Sequence, residues 1–217
     1  MKLCVNNLEY NLIKKRLNRL KEAYSQSNDD DVLRTVKDQV YTELAIAIDK
    51  FDDSFSKDFD ACKMSGLKEI EDLITTVNSN VIVQDLPRIE LSSAKKILKQ
   101  LSEKQLNAFV QAYNGLKTPV TYYSKRFDDK LAIILPQDGT FIGVVAEIRK
   151  GDKQREQICA FCNNFRKGDE IGFVSNKVTS RKDEYRALGL LCCLDGVLCN
   201  TDILDTQKLI SFISYKA

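Results

Sequence analysis

The sequence predicts an α+β protein: a helical bundle domain over residues 1–85, then an α/β domain over 86–217 that ends in a cysteine-rich module at 157–217. Three observations predict it. Apolar residues in the first 80 or so positions recur at helical spacing, whereas from Pro119 the apolar runs become β-rich around an Asp-Gly turn. In addition, five of the seven cysteines (Cys159, Cys162, Cys192, Cys193 and Cys199) fall in the last third of the 217 residues.

The first stripe is Ile13, Leu17, Leu20 and Tyr24, at i, i+4, i+7 and i+11. The acidic run Asp29-Asp30-Asp31 opens a second helix, since unpaired N–H groups at a helix start favour negative charge. Leu33, Val36, Val40, Leu44 and Ala47 keep the period, and Phe51, Phe55, Phe59 and Cys62 continue it as a core stripe. Leu67, Ile70, Ile74 and Val77 form a further helix, with Ser65 as its expected cap. These segments read as an antiparallel bundle with short loops.

Val81-Ile82-Val83 breaks the period, and Pro87 marks the boundary. Two short helices follow, one around Ser92 to Lys99 and one opened by the capping-box pattern Ser102-Glu103-Lys104-Gln105 and closed by Asn114-Gly115. Leu131–Leu135 and Phe141–Ile148 flank Pro136-Gln137-Asp138-Gly139, a hairpin in which the turn needs positive φ. A second hairpin uses Ile171–Val174 and Tyr185–Leu191. A closing helix carries Ile203, Leu209, Ile210, Phe212 and Ile213.

Histidine is absent, so no Ser-His-Asp or Cys-His nucleophile can be built. No glycine-rich phosphate loop or paired-carboxylate signature offers another route to catalysis, and the chain is expected not to be an enzyme. Lys+Arg number 33 against 31 Asp+Glu, a formal charge of +2. That balance argues against a dedicated nucleic-acid or membrane-surface binder, whose affinity is largely phosphate neutralisation. The lysines and arginines at 14–21 read as a solvated helix face beside Glu22 and the acidic run. With no signal-like opening and no apolar run of spanning length, a cytoplasmic monomer with reduced thiols is expected.

In such a compartment clustered cysteines point to metal or redox chemistry. Cys159-Ala160-Phe161-Cys162 is a C-x2-C pair, and 31 residues after Cys162 the pair Cys193 and Cys199 follows, with a predicted hairpin between. This spacing suits one tetrahedral, structural zinc ion, with all-thiolate ligands because there is no histidine. A knuckle, a hairpin and a helix whose first turn donates ligands make a treble-clef-like module. A thioredoxin-like redox pair ranks lower, because Asn163-Asn164-Phe165-Arg166-Lys167-Gly168 has no helical period. On spacing alone, Cys192 and Cys193 both remain open as the third ligand.

From Cys159-Ala160-Phe161-Cys162-Asn163 through Cys193 to Cys199-Asn200, then Asp205 and Phe212-Ile213, the chain resembles the fusidic-acid-resistance, elongation-factor-G-binding proteins of Gram-positive bacteria. Phe141–Ile148 and the lysine-rich segment Ser92 to Lys99 are weaker matches. The resemblance selects Cys193, since the last two ligands of the family stand six positions apart. The chain departs from the family in having no tryptophan between Pro119 and Phe127, Leu188-Gly189-Leu190-Leu191 ahead of the third cysteine, and Ile158 in place of an aromatic residue before the first.

The resemblance implies a non-enzymatic protein that engages elongation factor G and promotes its release from ribosomes stalled by fusidic acid, with the zinc domain as main contact surface. Phe161, Tyr185, Arg186, Lys208 and Phe212 are the candidate partner-facing residues, with packing inside the module the alternative for both phenylalanines. The competing reading is a zinc-dependent RNA- or ribosome-binding protein that uses the basic residues at 14–21 and 95–99 as phosphate contacts.

Overall fold

A computed structural model of the chain describes residues 2–63, 65–150, 155–181 and 184–215. The chain divides into two compact units, Met1–Gln84 and Asp85–Ala217.

The first unit is β1 (Leu3–Val5), α1 (Asn7–Gln26), α2 (Asp30–Ala47), α3 (Phe51–Ala61), α4 (Leu67–Asn80) and β2 (Val81–Val83). Asn6 caps α1 in a reciprocal box with Glu9. Asp29 caps α2 by accepting from the N–H groups of Asp31 and Val32. The stripes converge on one core: Ile13, Leu17 and Leu20 meet Leu33, Val40, Leu44, Ile70 and Val77. Phe51, Phe55 and Phe59 join it, with Tyr41 5.2 Å from Phe59 between ring centroids. The apolar pattern from Val40 to Cys62 is not one helix, because Lys50 at φ 61° breaks it and starts α3 anew. Ser65 does not cap α4; Gly66 holds that position, and Ser65 instead binds the Glu69 carboxylate. The sequence reading had no β1, a three-residue strand that pairs in parallel with β2, Leu3 opposite Val81.

The second unit begins with α5 (Leu91–Ile97) and α6 (Glu103–Asn114), the latter capped by the Ser102–Gln105 box. Then come β3 (Tyr123–Phe127), β4 (Lys130–Gln137), β5 (Thr140–Lys150), β6 (Gln157–Ile158), β7 (Phe165–Arg166), β8 (Ile171–Arg181), β9 (Glu184–Cys193), α7 (Gly196–Asn200) and α8 (Gln207–Ile213). The large sheet is antiparallel with order β3-β4-β5-β8-β9, and β6 and β7 form a separate two-stranded piece. Asp138 (φ 48°) and Gly139 (φ 74°) make the β4–β5 turn, as an Asp-Gly hairpin requires.

Leu131 to Leu135 are all buried, so β4 is covered on both faces. On one face Ala132 and Ile134 pack with Tyr123 against Leu98, Leu106, Phe109 and Tyr113 of the α5–α6 layer. Strand alternation turns Ser124 to the opposite face. There α7 approaches so closely that a Cβ on Gly196 would lie 2.6 Å from the Ser124 Oγ. The closing helix is shorter than expected: Ile203 is buried in the turn before α8. Among the described residues no helix is long and apolar enough to cross a membrane.

Candidate metal centre

The chain between β6 and β7 folds into a tight knuckle. The Cys159 N–H donates to the Asn164 carbonyl at 3.0 Å, the Asn163 N–H donates back to the Cys159 carbonyl at 2.9 Å, and Asn163 takes φ 57°. The knuckle is tied to β9 by the Ala160 N–H, which donates to the Leu191 carbonyl at 2.8 Å. Cys159 and Cys162 therefore lie beside the end of β9, where Cys193 is the last strand residue, and beside α7, which carries Cys199. The expectation that a helix's first turn would supply both later ligands is corrected in this respect: one comes from a strand end and one from the helix. Cys192 and Cys193 are successive strand residues, so their side chains leave on opposite faces. Cys193 joins the cluster, whereas Cys192 is fully buried outside it.

The four sulfur atoms of Cys159, Cys162, Cys193 and Cys199 lie within 4.8 Å of one another, and each residue is buried. Cys159 and Cys199 are 3.8 Å apart, sulfur to sulfur, as are Cys162 and Cys193. A disulfide would need about 2.05 Å. The edge of a tetrahedron built on metal–thiolate bonds of about 2.3 Å is about 3.8 Å, so the four thiols fit a closed tetrahedral metal site. Two backbone N–H groups, of Phe161 at 3.4 Å and Cys193 at 3.3 Å, point at the Cys159 sulfur.

The electrostatics agree with that fit. Cys159 is driven far toward thiolate by the hydrogen bond from Cys162 and then by those from Cys193 and Cys199. Cys199 is pushed far the other way, first by Cys159. Four thiols this close must share protons unless a cation lets all of them ionise. Cys192 is held protonated by burial.

The walls of the site were not legible as functional residues in the sequence. Arg166 of β7 is paired through Nη2 with the Asp202 carboxylate at 2.6 Å. Burial opposes its charge, and the hydrogen bond to Asp202, followed by the nearby Cys193 sulfur, overcomes that cost. Tyr122, just before β3, is 1% exposed; burial first, and then the neighbouring Cys199 and Cys192, push its phenol well above the ordinary range. Asn200 follows Cys199 and binds the backbone of Thr121 and Tyr122.

The expected partner-facing residues separate. Phe161 and Phe212 are 4% and 0% exposed, a correction to their expected surface role. Phe161 packs edge-on between Tyr122 and Phe212, 6.0 Å from each, because the knuckle needs an apolar anchor on the sheet and α8. Arg186 and Lys208 are exposed. Tyr185 pairs with Thr179 in the strand register, and its side chain lies outside the described residues. Ile158 and Phe165, which the sequence reading did not select, face each other across β6 and β7 and are 50% and 63% exposed.

Fold and site together define a protein of two units, a helical one followed by an antiparallel sheet that carries a buried four-cysteine centre. This is the fold of the fusidic acid resistance protein FusC, whose solved structure matches over 98% of this chain and 96% of that one, with a TM-score of 0.58 and 19% identity. It is a protein of the kind the sequence resembles. No protein-family model and no curated protein sequence matches the chain.

Proposed function

We propose that the chain is a non-enzymatic binding protein that engages translation elongation factor G and promotes its release from ribosomes stalled by fusidic acid. The observation that carries this reading is the near full-length fold match to a fusidic acid resistance protein. The four-cysteine cluster supports a single structural zinc ion in a treble-clef-like arrangement of knuckle, β8–β9 hairpin and α7. Structural zinc contributes roughly 10–16 kcal/mol in small finger peptides, comparable to the stability of a whole domain at about 5–15 kcal/mol. The ion's role is therefore to hold the binding surface in shape.

A binding protein of this kind works by shifting a population. It must favour the released conformation of the factor over the trapped one, because equal affinity for both shifts nothing. The exposed pair Ile158 and Phe165 gives the module an apolar surface for such a partner. The competing RNA reading loses much of its basis in the helical unit. Arg16 and Arg19 pair with Glu43, and Lys21 pairs with Glu71.

Calorimetry of the zinc-loaded protein with elongation factor G tests the reading. A complex is expected, with an affinity that changes little between low and moderate salt. No complex on the order of tens of micromolar overturns it. A log–log salt slope of roughly 0.7–0.9 per contact, summed over several contacts, would favour nucleic acid instead.

A further inference from the structure

The strand order β3-β4-β5-β8-β9 leaves β9 at an edge of the large sheet, with β8 on its inner side. In an antiparallel ladder the N–H and C=O of one residue point the same way, and that direction alternates along the strand. Three bonds fix the alternation here. The Leu194 N–H reaches the Glu170 carbonyl, on the β8 side. The Cys193 N–H instead points outward to the Cys159 sulfur, and the Leu191 carbonyl accepts outward from the Ala160 N–H. The odd-numbered residues of β9 therefore turn their backbone groups away from β8. The knuckle engages Cys193 and Leu191. Gly189 and Ala187 come next along the edge; both are exposed, and among the described residues their backbone groups have no partner.

Sheet edges are normally blunted by charge, proline or a bulge, because a row of unpaired groups accepts another strand. This edge has none of these between Ala187 and Leu191. Ala187-Leu188-Gly189-Leu190-Leu191 is uncharged, and the register shift of the β8–β9 ladder lies beyond it, between Thr179 and Arg181. Both faces beside the edge are apolar. Leu188 and Leu190 are half-buried on one. On the other, Phe173 lies across Gly189, where a Cβ would strike its ring, and is 39% exposed. Extended backbone is what meets outward N–H and C=O groups at this repeat, and an uncharged segment is what suits these faces. A second copy of the chain fits less well. Antiparallel self-pairing centred on residue 185, 186 or 187, the registers that avoid the knuckle, brings the two Arg186 side chains opposite or diagonal to each other. The edge also leads into the knuckle, whose flanking strands carry the exposed pair Ile158 and Phe165.

We propose that the open edge of β9 at Ala187 and Gly189 seats the partner: an extended, uncharged segment of elongation factor G adds to it as a further strand, continuing the ladder that Ala160 begins. Main-chain bonds would supply affinity, and Phe173, Leu188 and Leu190 would select the side chains beside them. The proposal rests on the reading of the chain as a binding protein for that factor.

Residue-resolved amide hydrogen exchange of the metal-loaded protein, alone and with elongation factor G, tests it. The Leu188 and Leu190 amides, which point at β8, should exchange slowly in both samples. Those of Ala187 and Gly189 should exchange fast in the free protein and at least about tenfold more slowly in the complex. Ala187→Pro removes one outward N–H and spares the β8 ladder, since an edge strand tolerates proline where its N–H faces solvent. It should weaken the complex by about tenfold or more, whereas Ala187→Ser, which keeps the N–H, should stay within about threefold of the parent. A parent that forms no complex overturns the functional reading and this proposal together. A complex in which the Ala187 and Gly189 amides exchange as fast as in the free protein, or one that Ala187→Pro leaves intact, overturns this proposal alone. So does protection of these amides that appears without the factor and grows with protein concentration, which would assign the edge to a second copy. If Ala187→Pro does not fold, the exchange measurement decides.

Discussion

Asn200 holds the backbone of Tyr122 from both sides: its Oδ1 accepts the Tyr122 N–H at 3.2 Å, and its Nδ2 donates to the Tyr122 carbonyl at 2.7 Å. The same side chain accepts from the Thr121 N–H and donates to the Gly196 carbonyl. One residue beyond the last cysteine, it thus joins the metal module to the entry of β3.

Asn200→Ala should leave several of these buried backbone groups unpaired. With a net cost of about 1–3 kcal/mol for each group that finds no new partner, a loss of about 3 kcal/mol of unfolding free energy is expected. Urea unfolding of the metal-loaded protein, followed by circular dichroism, measures it. A loss under about 1 kcal/mol would show that water or relaxation replaces the clamp.

The two adjacent cysteines should behave oppositely. Cys193→Ser removes a ligand sulfur and should abolish stoichiometric metal binding, since a serine hydroxyl does not replace a thiolate. Cys192→Ala removes a buried thiol that lies outside the cluster, so the protein should retain its full equivalent of metal. Metal analysis of both variants after gel filtration decides the point, and the reverse result would reassign the third ligand.

In the helical unit, Ser65 Oγ donates to the Glu69 carboxylate at 2.7 Å, and the Ser65 N–H donates to its other oxygen at 3.3 Å. These bonds, the hydroxyl's first, hold the Glu69 carboxyl below its ordinary value of 4.5. A carboxyl depressed in the folded state contributes stability that is present above its unfolded value and lost as pH falls through the folded one. An NMR titration of the Glu69 carboxyl carbon should therefore place its midpoint below 4.5 in the parent and nearer 4.5 in Ser65→Ala. Equal midpoints in the two proteins would remove the assigned cause.

Ser65 also marks where sequence reading reaches its limit. A serine before an apolar helical stripe reads as a cap, but the chain enters α4 through Gly66, and the acidic residue four positions on captures the serine instead. Patterns with a local cause were legible, the Asn6 cap aside: the stripe Ile13–Leu17–Leu20, the Ser102–Gln105 capping box, the Asp138-Gly139 turn and the cysteine spacing all depend on neighbours within a few residues. What depends on distant chain was not. β1 becomes a strand only because Val81–Val83 passes beside it, and Arg166 turns inward only because β7 pairs with β6 next to Cys193. Phe161 stands in a knuckle that suggests an exposed tip, yet Tyr122 and Phe212, far away in sequence, enclose it. In a two-residue strand, which member faces solvent is decided by the partner, so Phe165 was not distinguishable from Phe161 by residue type.

That inversion separates surface from core by experiment. Phe161→Ala and Phe212→Ala each empty a buried aromatic site and should cost about 3–5 kcal/mol, with weaker metal retention following from the loosened knuckle. Ile158→Ser and Phe165→Ser change side chains that are half or more exposed, and each should leave stability within about 0.5 kcal/mol of the parent. If the module binds elongation factor G through this surface, the second pair should nonetheless weaken the complex by about tenfold or more, because exposed aromatic and aliphatic residues at the centre of an interface carry over 1 kcal/mol each. Calorimetric titration alongside urea unfolding reads both quantities on the same samples. Binding that survives in Ile158→Ser and Phe165→Ser would move the contact elsewhere on the module, to the faces that carry Arg186 and Lys208.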